Sequence, residues 1–190
     1  MKDKDIEKLY LESLRKAGTK IEDLARSMYA SFVLFDYNLY KQVEIATGTY
    51  VAKKVHKKAR LRYVPWVVKE AFEKLKVSEV KNGDVSTVGY IASLIYERTS
   101  CPVQIKEDSA DHFECSVLRC PMVSFSMGLF NEELGCPYHE SLSEVCIASV
   151  NELVRQLGLS NDIEVVMDKF IFKGDDSCRI VLQQNEVGCQ

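Results

Sequence analysis

The sequence predicts an α+β fold, with N-terminal helices followed by a mostly antiparallel four-stranded sheet that helices cover on one face. Three observations predict it. Apolar residues recur at helical spacing up to about Arg98, the period switches to strand alternation after Pro102, and two strand pairs flank two helices that each open on a proline. With 190 residues, 46% of them hydrophobic, the chain can bury a substantial core. The change of period divides it into an N-terminal helical region, residues 1–85, and a cysteine-containing α+β module, residues 86–190.

From Lys4 to Ala17, the residues Ile6, Leu9, Tyr10, Leu14 and Ala17 share one helical face, and Gly18 ends the segment. A second helix begins near Thr19, with Ile21, Leu24, Met28, Phe32 and Phe35 on its stripe. The pattern continues toward Arg62 unless Gly48 interrupts it. Pro65 opens a helix carrying Trp66, Val68, Phe72 and Leu75, and Asn82-Gly83-Asp84 turns the chain into another from about Ser86 to Arg98.

Val103 and Ile105 alternate with Gln104 and Lys106, and after a polar turn at Glu107 to Asp111 a second strand runs from His112 to Arg119. Its Phe113, Cys115 and Val117 point to one side, so Cys115 faces the core. Helices follow from Pro121 to Leu134 and from Pro137 to Leu157. The second carries Leu142, Cys146, Val150, Leu153 and Leu157 on one stripe. A closing hairpin takes Ile163 to Phe172 as one strand and Cys178 to Gln183 as the other, with Cys178, Ile180 and Leu182 sharing a face.

The start, Met1-Lys-Asp-Lys-Asp, has no apolar signal region, and apolar runs such as Phe32 to Phe35 are too short to span a bilayer. A cytoplasmic location with no membrane partner is therefore expected. Seven cysteines in such a chain read as reduced thiols, and their odd number cannot pair fully within one molecule.

Charge is unevenly spread: residues 1–100 carry 19 Lys and Arg against 13 Asp and Glu, whereas residues 101–190 carry 6 against 15. Opposite net charges can hold two parts of a chain together. The basic run from Lys53 to Arg62 lies near Tyr50, Tyr63 and Trp66, but without a recognition motif in an acidic chain it reads as a solvated helix face and argues against a nucleic-acid partner. The amphipathic N-terminal helices could instead support a homodimer.

Chemistry concentrates on the cysteines. Cys120-Pro121 and Cys136-Pro137 each place a sulfur at a helix N-cap, where unpaired N–H groups favour thiolate, the form that acts as nucleophile and metal ligand. Cys115, Cys146 and Cys178 point inward and could converge with Cys120 on one cavity, as a zinc or iron site or as a nucleophile beside Glu132 or Glu133. No CxxC pair exists, and Cys115 to Cys120 is a looser CxxxxC. Cys136 and His139 could supply two ligands on one helical turn, Asp175 and Asp176 could supply a carboxylate, and Cys101 and Cys189 carry no site signal.

Residues 86–184 resemble the L-2-amino-thiazoline-4-carboxylic acid hydrolase family and, more distantly, the 4-vinyl-reductase-type ligand-binding domain. The resemblance lies in the order of Arg119-Cys120-Pro121, Glu132 and Glu133, Cys146 and Lys173-Gly-Asp-Asp-Ser-Cys178. It implies a cavity between helices and sheet and, in the hydrolase family, opening of a sulfur-containing ring by water. The sequence reading is thus a small-molecule hydrolase acting on a C–N or C–S bond. In it Cys120, Cys146 and Glu132 are catalytic, Phe125, Glu133 and Asp175 bind ligand, and Cys115, Cys120, Cys146 and Cys178 are the metal-ligand set. A non-catalytic sensor binding a small molecule or metal is the alternative, and a protein-binding adaptor using the Lys53 to Arg62 face is a further one.

Overall fold

The computed structural model describes residues 20–76, 79–81, 84–99 and 101–185. The expected Lys4 to Ala17 helix, the Asn82-Gly83 turn and Cys189 lie outside them. Among the described residues six α-helices and four strands follow in order: α1 (Ile21–Thr47), α2 (Thr49–Leu61), α3 (Val64–Leu75), α4 (Val85–Glu97), β1 (Val103–Asp108), β2 (His112–Val117), α5 (Pro121–Phe130), α6 (Pro137–Gln156), β3 (Ile163–Lys169) and β4 (Cys178–Gln184).

Gly48 does interrupt the long N-terminal pattern. Its φ of 86° is one that a side chain would resist, and the chain folds back there so that α2 packs on α1. Asp84 caps α4 by accepting from the Thr87 N–H at 3.0 Å. Helix α5 stops at Phe130 rather than Leu134, because Asn131 adopts the left-handed conformation with φ 51°.

The sheet order is β1-β2-β4-β3, with every neighbouring pair antiparallel. Phe113 lies opposite Leu182, Cys115 opposite Ile180 and Val117 opposite Cys178, so the two central strands turn one apolar face inward. Helix α4 presses Val88, Ile91, Ala92 and Ile95 against that face. Gly89 lets the Phe113 ring approach so closely that a methyl group there would collide with it. On the opposite face Arg179 donates to Glu114 at 2.7 Å and to Asp168 at 2.9 Å across three strands. The expected α+β architecture is therefore present.

Strand β3 ends at Lys169, three residues short of the expected Phe172. The Phe170 N–H donates to the Asp175 carboxylate at 2.7 Å, a single 3-10 turn (Ile171–Lys173) follows, and Gly174 takes φ 96°. The detour turns both Phe170 and Phe172 inward, into a second apolar cluster with Val33, Tyr37 and Tyr40 of α1, Ala52 of α2, Met122 and Val123 of α5, and Tyr138 and Leu142 of α6. Elements from both halves of the chain share this core.

A buried polar network joins the same elements. The Asp36 carboxylate of α1 accepts from Tyr138 Oη at 2.8 Å and lies 3.1 Å from His56 Nε2, while His56 Nδ1 lies 2.8 Å from Ser141 Oγ. Burial pushes the Asp36 pKa up, but the His56 hydrogen bond, the Arg60 and His56 charges and the Tyr138 hydrogen bond together leave it lowered. At the surface, Lys53 of α2 bonds Glu140 of α6 at 2.7 Å and reaches Glu144 at 3.5 Å, so part of the basic run meets part of the acidic half. Among the described residues no helix is long and apolar enough to cross a membrane.

Candidate functional site

Between the helices and the β3–β4 hairpin lies a cavity of about 840 Å³. Its walls come from α1 (Met28, Tyr29, Phe32), the end of α2 (Arg60), the end of α4 (Ile95, Tyr96, Arg98), α5 (Met122, Val123), α6 (Leu142, Val145, Cys146) and the hairpin (Met167, Phe170, Phe172, Cys178). The wall is mainly aliphatic, aromatic or sulfur-bearing. The only charged residues along it, among the described ones, are Arg60 and Arg98.

Cys120, Cys146 and Cys178 all line this cavity, together with Cys101. Cys115 does not, because its strand position directs it into the sheet–α4 core, where burial raises its pKa to about 12. Cys120, Cys146 and Cys178 thus belong to the wall of one cavity, whereas Cys101 carried no signal beyond its Cys-Pro dipeptide. That dipeptide follows the end of α4, whose final residues also reach the cavity.

Cys120 is the N-cap of α5 and Cys136 that of α6. The Cys120 pKa is lowered first by the neighbouring Cys101 thiol, against the opposing effect of burial. The Val123 and Met122 backbone N–H groups and the Arg60 charge also lower it. Cys101 moves upward in the same exchange. Cys146 is raised chiefly by burial, and Cys178, also buried, is raised to about 11 while accepting the Ile171 N–H at 3.4 Å. Cys120 is thus the cavity sulfur most readily ionised.

The other sequence candidates lie outside the lining. Glu132 binds Lys41 at 3.0 Å and accepts from Tyr37 Oη on the α1 side. Glu133 is exposed, and the exposed Asp175 is occupied in fixing the hairpin turn. Phe125 packs on the Tyr29 ring at 6.0 Å, one layer behind the wall. His139 is fully buried, with Nε2 2.6 Å from Ser126 Oγ, and burial lowers its pKa. Among the described residues no group of three or more His, Cys, Asp or Glu side chains is placed to hold a metal ion. Cys101, Cys120, Cys146 and Cys178 give the cavity wall a soft, polarizable component.

Arg60 and Tyr29 were not singled out by the sequence. A signal for Arg60 existed inside the basic run, since Ala52, His56 and Arg60 fall four apart on the face of α2 turned toward the interior. A second, shallower depression of about 530 Å³ is lined by Lys53, Glu140, Glu144 and Lys173, and its charges largely pair with one another.

No family model matches the chain, and no curated protein matches it. Among solved structures it is similar to a trafficking protein particle complex subunit 3 from Naegleria fowleri covalently bound to palmitic acid, with TM-score 0.51 and 15% identity, over 85% of this chain and 97% of that one. It is also similar to the phenol-responsive sensory domain of the transcription activator PoxR with phenol, with TM-score 0.51 and 12% identity, over 84% of this chain and 75% of that one. At such identities the likeness shows the fold alone. The hydrolase side of the sequence resemblance finds no support in these comparisons.

Proposed function

We propose that the chain is a small-molecule-binding domain of the sensor type, which holds an apolar ligand in the cavity between the helices and the β3–β4 hairpin. The observation that carries this reading is the cavity itself. Its 840 Å³ falls in the range of preformed ligand sites, and its apolar wall carries a few convergent polar groups. Two solved structures of similar fold, described with phenol and with covalently bound palmitic acid, support an apolar occupant. The sensor alternative is thereby favoured over the hydrolase, since no carboxylate or imidazole lies along the described wall to activate a water.

In this reading the 1–85 and 86–190 divisions are two sides of one binding site. Ligand contacts to α1 and α2 would carry occupancy outward to the exposed α1 face, where Phe35 and Ile45 offer an apolar surface to a second copy of the chain.

The test is binding of N-phenyl-1-naphthylamine, a neutral apolar probe whose fluorescence rises in a dry site, together with the thermal shift it produces. A ligand at one hundred times its Kd stabilises the native state by about 2.7 kcal/mol. Val123→Trp on α5 and Cys146→Trp on α6 should each abolish the fluorescence gain while the variants remain cooperatively folded. A wild-type protein that neither brightens the probe nor melts later, or probe binding that survives both substitutions, would overturn the reading.

A further inference from the structure

Around Phe32 the cavity wall carries polar groups, and these are incompletely matched. The Tyr29 hydroxyl is buried and has no hydrogen-bond partner. Arg60 lies in the same region, with its guanidinium 5.1 Å from the Phe32 ring centroid and Nη2 3.3 Å from the Met122 sulfur. Its nearest carboxylate, Asp36, is 3.8 Å away and already receives the closer approaches of His56 and Tyr138. A thioether and an aromatic face are weak partners for a guanidinium with five donors. The cavity's other charged residue, Arg98, is paired with Glu70.

From this arrangement we infer that the cavity takes an amphipathic monoanion, a carboxylic acid on an apolar body, with the carboxylate held by Arg60 and the Tyr29 hydroxyl. The inference rests on the ligand-binding reading above and names its ligand class. A carboxylate accepts from both groups at once: the guanidinium fork meets its two oxygens, and the phenol donates to one of them. Neutral apolar molecules would leave the Tyr29 hydroxyl without a partner and bring no charge to Arg60. A site built around such groups discriminates against the analogue that lacks the matching atom. The body of the acid, alkyl or aryl, would lie along Val145, Met167, Phe170 and Phe172. Cys120 lines the same cavity, and as thiolate it would compete with the carboxylate for Arg60.

The experiment is displacement of N-phenyl-1-naphthylamine from the full chain by octanoate against 1-octanol, and by 3-phenylpropionate against 3-phenyl-1-propanol. A pH of about 6 keeps the acids ionised and Cys120 a thiol. Each alcohol is the more apolar of its pair, so hydrophobicity alone ranks it first. The expected result is the reverse, with at least one acid displacing the probe at concentrations roughly tenfold or more below its alcohol. The pair showing the larger preference identifies the alkyl or aryl body. Arg60→Gln should erase the preference, Arg60→Lys should keep part of it and Tyr29→Phe should reduce it, the preference being read in each variant as the ratio of acid to alcohol displacement concentrations against that variant's own probe affinity. Alcohols that equal or beat both acids, or a preference that persists in Arg60→Gln, would overturn the inference alone. A wild-type protein that does not bind the probe would overturn the ligand-binding reading and this inference together.

Discussion

Substituting Asp36 by alanine tests whether the N-terminal helices and the C-terminal module fold as one unit. The Asp36 side chain is 8% exposed and engages Tyr138 at 2.8 Å and His56 at 3.1 Å, with Arg60 further off at 3.8 Å. Alanine leaves the fully buried Tyr138 hydroxyl and one His56 nitrogen facing no acceptor, and each such group costs about 1–3 kcal/mol. The carboxylate's own desolvation penalty is relieved at the same time, which places the net loss near the roughly 3–5 kcal/mol typical of breaking a buried pair. With a urea slope of about 2 kcal/mol/M, the unfolding midpoint should fall by roughly 2 M. Asp36→Asn, which keeps one acceptor oxygen, should fall by less. The assay is urea unfolding followed both by far-ultraviolet circular dichroism and by fluorescence of Trp66 on α3. A single shifted transition common to both probes is expected. A midpoint change under about 0.3 M, or two separated transitions in the wild type, would refute the idea that this network ties α1 and α2 to α6. The pH dependence has a definite sign. Because the folded-state pKa of Asp36 is lowered, its contribution is complete above the ordinary carboxyl range and disappears as pH falls through the folded value. The alanine variant should therefore show a shallower loss of stability in acid.

Two further predictions concern the sheet and the sulfurs. Gly89→Ala drives a methyl group into the Phe113 ring and should cost about 1–3 kcal/mol, seen as a lower Tm, while Gly89→Ala with Phe113→Leu should recover part of the loss. Cys120 should be the cavity cysteine alkylated first by iodoacetamide near neutral pH, with a midpoint below the ordinary thiol value of about 8.5. Cys146 and Cys178 should react only at higher pH, as peptide mass spectrometry of a timed series would record.

The sheet and the helices around it were largely legible because each has a periodic signal. The alternation at Phe113, Cys115 and Val117 and at Cys178, Ile180 and Leu182 marks the faces that the register brings together, and the two Cys-Pro dipeptides mark the starts of α5 and α6. Boundaries were less legible where one side chain decides them. Asn131 ends α5 by taking a left-handed conformation that other residues could also have taken, and Asp175 curls the chain after β3 through a bond spanning five residues. For the cavity, periodicity identifies inward-facing cysteines but cannot tell a residue packed in a core from one beside an empty space. Cys115 and Cys178 have the same inward sense in sequence, yet only Cys178 reaches the cavity.

The cavity's place in the fold explains why such a space can persist. Helix α4 seals the sheet with small and branched residues at close range, whereas α6 crosses from that core to the second cluster. The 3-10 detour after β3 lifts Phe170 and Phe172 away from the sheet plane, and α1 closes the gap with Met28, Tyr29 and Phe32 rather than filling it. Dense packing therefore surrounds the space, and stability need not depend on collapsing it. A core defect of this size lined only by hydrocarbon would cost stability and contribute nothing. Here the wall brings together a guanidinium, an unpartnered phenol and a thiol at a helix start, groups that an interior selected for packing alone would replace with apolar ones. A wall that combines such groups with a largely apolar lining is what recognition of a ligand that is itself amphipathic requires, which is the inference that the acid and alcohol pairs test.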